Sequence, residues 1–503
     1  MNSNDQKHDE VERLKEEVKS LLQRVEHLSS ENSALKELIS LLRSKSFGKS
    51  SEQVPHEQLG FFDEAESLAI EPEPSIEEVG QNQELRQSVP PARGKRAPLP
   101  EGLPRVEQII DLKNKLCEKD GSELKCIGEE VSEKLEIIPA KVFVRKTIRK
   151  KYACPECEKI EVAEAPKEIL PKTNASASLL AYIATAKYAD ALPLHRQENI
   201  FTRAGINMPR QTMARWMIAL GESVSPIVKL LREELLDSSY IRMDETVVQV
   251  LAEDGKKAES NSYMWAQARN CPYPIVLFHY AKNRSGDHPV ELLEDYSGAL
   301  QVDGYDGYSR AIAKNGITRL GCWAHARRKF HDAFKTSSGK NIGKQALVYI
   351  AKIYDIEKAI AELPFKERFY TRLTKTIPIT NELHEWLIAK KTSTTPESLA
   401  GKAIGYALNE WQYLMNCFAH GEYSIDNNFM ESHIRPFTIG RKNWMFSVTP
   451  EGATASANLY SLIETAKANQ IEPYEYLKNL FEKLPLAETE QDFLDLLPVK
   501  VIA

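Results

Sequence analysis

Apolar residues recur at alternating spacings of three and four between residues 11 and 42. Val11, Val18, Val25 and Ile39 hold the a positions of a heptad, Leu14, Leu21, Leu28, Leu35 and Leu42 hold d, and Asn32 takes the remaining a. β-branched a residues with leucine at d favour a two-stranded parallel coiled coil, and one buried asparagine fixes its register at a cost in stability. Nine of the ten core positions are apolar, which favours self-association over a helix packed on its own globule.

Beyond residue 49 that periodicity stops. Residues 50–105 are acidic, proline-rich and without pattern, too poor in apolar side chains to form a core, and read as a disordered linker. Residues 106–165 carry short strand-like runs such as Val142 to Thr147 and read as a small module. Helical spacing returns in 166–236. Leu194 to Ala204, a turn at Gly205 and a second helix from Pro209 to Leu220 have the proportions of an all-α helix-turn-helix. Its packing face would be Met213, Trp216, Met217 and Leu220, leaving Arg210, Gln211 and Arg215 to a DNA groove.

From residue 237 the period shortens to two. Tyr240 to Leu251, Ser262 to Gln267, Ile275 to Tyr280, Ala299 to Val302 and Thr318 to Cys322 read as strands, with helices at Pro289 to Tyr296 and Tyr308 to Lys314. Three successive strands, then strands alternating with helices, predict an α/β core with a mixed sheet. The first part of this core spans 237–331. A charged α-helical insertion covers 332–420, punctuated by Pro364, Pro378 and Pro396, the core resumes over 421–484, and 485–503 form a tail.

The net charge is −6 over 503 residues. Residues 51–90 alone carry −9, so the rest of the chain is at +3, with positive clusters at Arg93 to Arg96, Arg145 to Lys151, Arg327-Arg328-Lys329 and Arg441-Lys442. Local clusters set phosphate binding, so a DNA partner stays open despite the acidic total. No apolar run is long enough for a membrane span and the first residues carry no signal-peptide pattern. This predicts a cytoplasmic protein, associated with the nucleoid when on DNA.

Carboxylates carry the candidate chemistry. Asp244 sits mid-strand, where a charge is costly unless paired or metal-bound. Neighbouring Glu245 is a rival ligand. Asp303 follows a strand, where open α/β sheets place ligands, although an aspartate before Gly304 also suits a plain turn. Glu431 lies in Asp426-Asn427-Asn428-Phe429-Met430-Glu431, followed by Arg435, Arg441 and Lys442. If Asn428 caps the helix, Glu431 is also the third residue of a capping box. Three carboxylates beside cations suit divalent ions, Mg²⁺ or Mn²⁺, serving phosphodiester chemistry. His325 is an accessory candidate that orients water or meets a phosphate. Cys154-Pro155-Glu156-Cys157 is half of a zinc knuckle, and Cys117 with Asp120 supplies an irregular other half, with Cys126 as a substitute ligand.

Asp244-Glu245-Thr246, Val302-Asp303-Gly304-Tyr305, Cys322 through Phe330, Asp426 through Glu431 and Gly440 through Phe446 together resemble the large transposase of the insertion-sequence-66 family. Leu462 to Lys467, Pro473 to Leu477, Ser44 to Glu52 and Ile127 to Glu133 extend the resemblance over nearly the whole chain. The resemblance implies an RNase H-like core of the DDE type with Asp244, Asp303 and Glu431 as its triad, a leucine zipper, a zinc-binding module and a helix-turn-helix. It further implies cleavage of element ends, joining of 3′-hydroxyls to target DNA, a homodimer or higher assembly, and small accessory transposition proteins. The family continues its glutamate with arginine, where this chain has Ser432-His433, so that phosphate contact is either lost or supplied by His433. An RNase H-fold nuclease without strand transfer and a catalytically decayed dimeric DNA-binding protein are the competing functions.

Overall fold

The computed structural model describes all but six positions between 16 and 43, Arg105, Val106, Ser132 and Lys134, and residues 141–153, 160–336 and 342–499. They fall into two compact units: Pro72–Ala165, and Met1–Glu71 with Pro166–Ala503. Cys117, Asp120, Cys126, Cys154 and Cys157 lie outside the described residues.

In the smaller unit β1 (Lys151–Ala153) pairs antiparallel with β2 (Ile160–Val162). The Ala163 N–H to Lys150 carbonyl bond extends the hairpin by one rung, and the Arg149 side chain donates to the Ala163 carbonyl at 2.7 Å. The strand expected at Val142 to Thr147 is not one. That run has no regular structure and its apolar side chains are exposed; three apolar residues in succession followed by two cations give no alternating face to bury.

In the larger unit, the described positions between 16 and 43 are helical. Val18, Leu21, Val25, Leu28, Leu35, Ile39 and Leu42 are 49–62% exposed, an apolar stripe left uncovered within one chain. The Glu37 carboxylate from this helix accepts the Leu399 N–H at 3.2 Å.

Four helices follow: α1 (Ala177–Tyr188), α2 (Leu194–Arg203), α3 (Arg210–Ser223) and α4 (Ser225–Leu236). Gly205 takes φ +76°, the left-handed turn that the α2–α3 hairpin needs. Pro209 stands as the N-cap of α3, one position before the first helical turn expected for it. Met213, Trp216, Met217 and Leu220 are buried, while Arg210, Gln211 and Arg215 are exposed.

The sheet comes next: β3 (Tyr240–Gln249), β4 (Asn261–Arg269), β5 (Ile275–Ala281), then α5 (Asp287–Leu293), β6 (Ala299–Gln301), α6 (Ser309–Asn315) and β7 (Thr318–Leu320). Strand order is β5-β4-β3-β6-β7. The first three strands are antiparallel, and β6 and β7 run parallel to β3. After α7 (Trp323–Thr336), the insertion consists of α8 (Ile342–Ala359), α9 (Phe365–Thr371), α10 (Ile377–Lys391), α11 (Leu399–Asn409) and α12 (Trp411–Asn416). The chain returns through α13 (Asn428–Trp444), α14 (Pro450–Ala468), α15 (Pro473–Lys483) and α16 (Glu490–Leu494).

Helix α14 closes the β5 edge. Thr465 Oγ1 accepts from Val276 N at 3.0 Å and donates to Val276 O at 2.9 Å, and Ser461 Oγ accepts from Phe278 N at 2.8 Å. Hydroxyls thus satisfy the groups of an edge strand that would otherwise template further pairing. One apolar core joins the sheet to α1–α4 and α13–α15, and a second joins β6, β7 and α7 to the insertion. Among the described residues no helix is long and apolar enough to cross a membrane.

Candidate active site

Strand register places the first two carboxylates. Arg242 on β3 pairs with Gln301 on β6, so Asp244 and Asp303 each lie two residues past the same rung. Equal offsets along neighbouring parallel strands put both at the carboxyl end of the sheet and, by strand alternation, on one face. Asp244 Oδ1 accepts the Glu245 N–H at 2.8 Å, and Asp303 Oδ1 accepts the Tyr305 N–H at 2.9 Å. The turn bond expected of an aspartate before glycine is therefore present, but it engages one oxygen only.

Glu245 is committed elsewhere. Its side chain is 2% exposed, with one oxygen on the Arg284 guanidinium and the other on the Tyr308 hydroxyl at 2.6 Å. Arg284 in turn lies 3.7 Å over the Tyr305 ring. The pair braces the loop after Asp303 and leaves the outlook of the site to Asp244.

Glu431 arrives on α13. Asn427, not Asn428, is the N-cap of this helix and makes no side-chain cap bond. The capping box is thereby corrected: Glu431 is the fourth helical residue, and its N–H bonds the Asn427 carbonyl at 3.0 Å. The reason is a longer-range partner, since the Asn427 amide donates to the Met243 carbonyl at 3.0 Å and its N–H to Cys322 Sγ at 3.3 Å. Asp426 takes over the local role, accepting from Asn428 N at 3.2 Å and Asn428 Nδ2 at 3.1 Å. These bonds pin the start of α13 beside the residue that precedes Asp244. Residue-type reasoning did not single out Asn427; its signal was an amide run just upstream of a candidate ligand.

The Glu431 carboxylate faces α7, with Oε2 3.3 Å from Arg328 Nη2 and Oε1 3.9 Å from His325 Nδ1. Both Glu431 Oε1 and His325 Nδ1 are buried without a hydrogen-bond partner. Among the described residues, the trio of potential ligand atoms lying within 4.8 Å of one another is Cys322, His325 and Glu431.

The carboxylates nevertheless feel one another. Asp244 is pushed up to about 8, first by burial, then by the Glu245 charge, with Asp303 and Glu431 adding to the rise. Burial holds His325 below its ordinary value, against the pull of Glu431. The same acts on His433, whose Nδ1 lies 2.7 Å from the Phe429 carbonyl and whose ring packs 4.4 Å from that of Phe429. A carbonyl only accepts, so Nδ1 carries the proton and this face of the ring is tied to its own helix.

The candidate phosphate-binding residues divide by what they already touch. Arg327 lies 5.3 Å over the Tyr354 ring and Lys329 4.6 Å over the Tyr406 ring, both toward the insertion. Arg441 donates to Thr246 Oγ1 at 3.1 Å and to the Val247 carbonyl, anchoring the end of α13 to β3. Arg435 is half-buried on α13, and Lys442 is exposed.

A family model described as Transposase IS66 family matches residues 172–455. Others, described as zinc-finger binding domain of transposase IS66, IS66 C-terminal element and Transposase C of IS166 homeodomain, match 114–158, 461–499 and 34–107. The chain is similar to the uncharacterized protein y4qI of Sinorhizobium fredii, at 32% identity over 96% of this chain and 90% of that one. It is also similar to y4jD of the same organism, likewise uncharacterized, at 30% identity over 97% and 96%.

Proposed function

The chain belongs to the IS66 transposase family, and from that premise we propose that it cuts and joins DNA by a DDE mechanism on an RNase H-like core. Asp244, Asp303 and Glu431 are the triad of this reading. The observation that carries it is that Asp244 on β3 and Asp303, two residues beyond the end of β6, follow the same Arg242–Gln301 rung of adjacent parallel strands, with both Asp303 and Glu431 raising the Asp244 pKa.

Such a group fits a divalent cation. All three donors are oxygens, Glu431 Oε1 is buried and unpartnered, and Asp244 is held protonated near neutrality by burial first and by its acidic neighbours second. A positive ion removes that conflict, and Mg²⁺ or Mn²⁺ suits oxygen donors that leave room for phosphate. When bound, the ion activates the attacking water or 3′-hydroxyl and stabilises the departing oxygen. The protein's own parts position the reactants. Asn427 fixes α13 against β3, the Arg284–Glu245 pair braces the Asp303 loop, and Arg328 offers a cation beside Glu431 for a phosphate.

The exposed Arg210, Gln211 and Arg215 of α3 meet the terminal inverted repeats, and Lys442 and Arg435 lie along the strand to be cut. The heptad stripe pairs two copies, and accessory transposition proteins complete the assembly on nucleoid DNA in the cytoplasm. The zinc-finger match covers Cys117, Asp120, Cys154 and Cys157, which we assign as the ligands of a structural Zn²⁺. The domain divisions drawn from the sequence carry over to this reading. An Asp303→Ala variant, assayed for cleavage and strand transfer on DNA bearing the terminal repeats, is expected to lose both by at least ~10³-fold. Wild-type rates in that variant would remove the assignment.

A further inference from the structure

Cys322, His325 and Glu431 form a cluster with a chemistry unlike that of the proposed triad. Their ligand atoms lie within 4.8 Å of one another, whereas neither Asp244 nor Asp303 belongs to the group. The set offers one sulfur, one imidazole nitrogen and one carboxylate oxygen. That is a borderline-soft combination suited to Zn²⁺ and foreign to Mg²⁺, which takes oxygen. A tetrahedral zinc site has ligand atoms roughly 3.3–3.7 Å apart, given bonds of about 2.0–2.3 Å. His325 Nδ1 and Glu431 Oε1 are already 3.9 Å apart.

Two of these atoms lack a partner. His325 Nδ1 and Glu431 Oε1 are buried and make no hydrogen bond, an arrangement that costs about 1–3 kcal/mol per group. Cys322 Sγ, which accepts the Asn427 N–H at 3.3 Å, lies in the same 4.8 Å cluster; burial holds its thiol well above the ordinary value, so a metal ion must displace that proton on binding. Arg328 is the one cation paired with Glu431 among the described ion pairs; its side chain is 44% exposed and can turn to solvent.

We propose that Cys322, His325 and Glu431 form an inhibitory zinc site that competes with the catalytic ion for Glu431. The inhibitory part rests on Glu431 serving the DDE site as proposed above. With zinc in place, Glu431 is drawn to α7 and cannot join Asp244 and Asp303. Its release restores the triad. The enzyme thereby becomes sensitive to free Zn²⁺ through a residue, Cys322, that has no part in the Mg²⁺ site.

The test uses the full chain and Zn²⁺ itself. Equilibrium dialysis is expected to show one more zinc per chain in wild type than in Cys322→Ser, whatever the zinc-finger module retains. On Co²⁺ loading, the thiolate-to-cobalt absorption is expected to lose one thiolate's share in the variant. In Mg²⁺-dependent cleavage, the zinc concentration giving half inhibition, read against each protein's own zinc-free rate, is expected to rise at least about tenfold in Cys322→Ser. Cys322→Ala is the second variant, should the serine disturb the buried position. Equal zinc stoichiometry in wild type and both variants would overturn the site, and equal zinc sensitivity would overturn its inhibitory role. Asp303→Ala separates the two readings. It should lose cleavage yet keep the extra zinc, whereas cleavage retained in Asp303→Ala overturns the catalytic assignment whatever the zinc count.

Discussion

Asp244 shows what the active-site face costs the protein. Its carboxyl is raised from an ordinary 3.8 to about 8, chiefly by burial. Between those values the folded chain holds a proton that the unfolded chain has released, so metal-free stability falls as pH rises through that window and levels off above it. Asp244→Asn removes the conflict. At pH 8 without divalent ions we expect its Tm to exceed wild type by about 2–4 °C, roughly 1 kcal/mol in a large domain, and the difference to vanish near pH 4. A thermal melt at the two pH values checks this, and an unchanged or lower Tm at pH 8 contradicts it. The same proton must leave before a cation binds, so divalent affinity should climb with pH by about tenfold per unit below 8. Isothermal titration with Mn²⁺ measures that slope.

Which residues could be read from sequence depended on how local their partners are. Asp244 and Asp303 were legible because strand patterning predicts their place on the sheet. Glu245 could not be excluded from sequence, since its partners, Arg284 and Tyr308, are 39 and 63 positions away. The capping box failed for a related reason, as Asn427 reaches 184 positions back to Met243. Cys322 looked like a motif letter until folding placed it beside residues of another helix.

At the scale of elements, one buried guanidinium ties the insertion to the segment that returns to α13. Arg372 is fully buried in a π-helical turn between α9 and α10, paired to both oxygens of Glu357 at 2.9 and 2.6 Å. It also donates to the carbonyls of Cys417, His420 and Tyr423. Those carbonyls belong to the segment that leads from α12 to α13, so the pair helps to aim Glu431. Glu357→Ala leaves the charge unpaired and should cost about 3–5 kcal/mol, read as a lower denaturant midpoint together with slower cleavage. A midpoint unchanged from wild type would show that the pair does not hold the insertion. The expected strands from Tyr240 to Cys322 were found within two residues at each end, because strand-like patterning over a two-sided core is a strong signal. The run Val142 to Thr147, three apolar residues followed by Arg145, Lys146 and Thr147, lacks that alternation and is irregular.

At the scale of the molecule, the proposed reading has one unit carry both DNA-end recognition and chemistry. The α2–α3 hairpin packs into the same core as the sheet while Arg210, Gln211 and Arg215 stay exposed. Replacing Arg210 and Arg215 with alanine should weaken binding to end DNA by about 10- to 100-fold, at roughly 1–3 kcal/mol for a base contact, with the fold intact. Electrophoretic mobility shifts at fixed salt measure it, and unchanged affinity would move end recognition to another surface.

The central claim is that Asp244, Asp303 and Glu431 act as one oxygen-donor metal site. Cleavage of terminal-repeat DNA by Asp303→Cys, compared in Mg²⁺ and in Mn²⁺, tests it most directly. A thiolate is a poor ligand for Mg²⁺ and an acceptable one for Mn²⁺. The account predicts that the variant loses activity by at least ~10³-fold in Mg²⁺ and regains a measurable part of it in Mn²⁺. Wild-type cleavage in Mg²⁺ would contradict it.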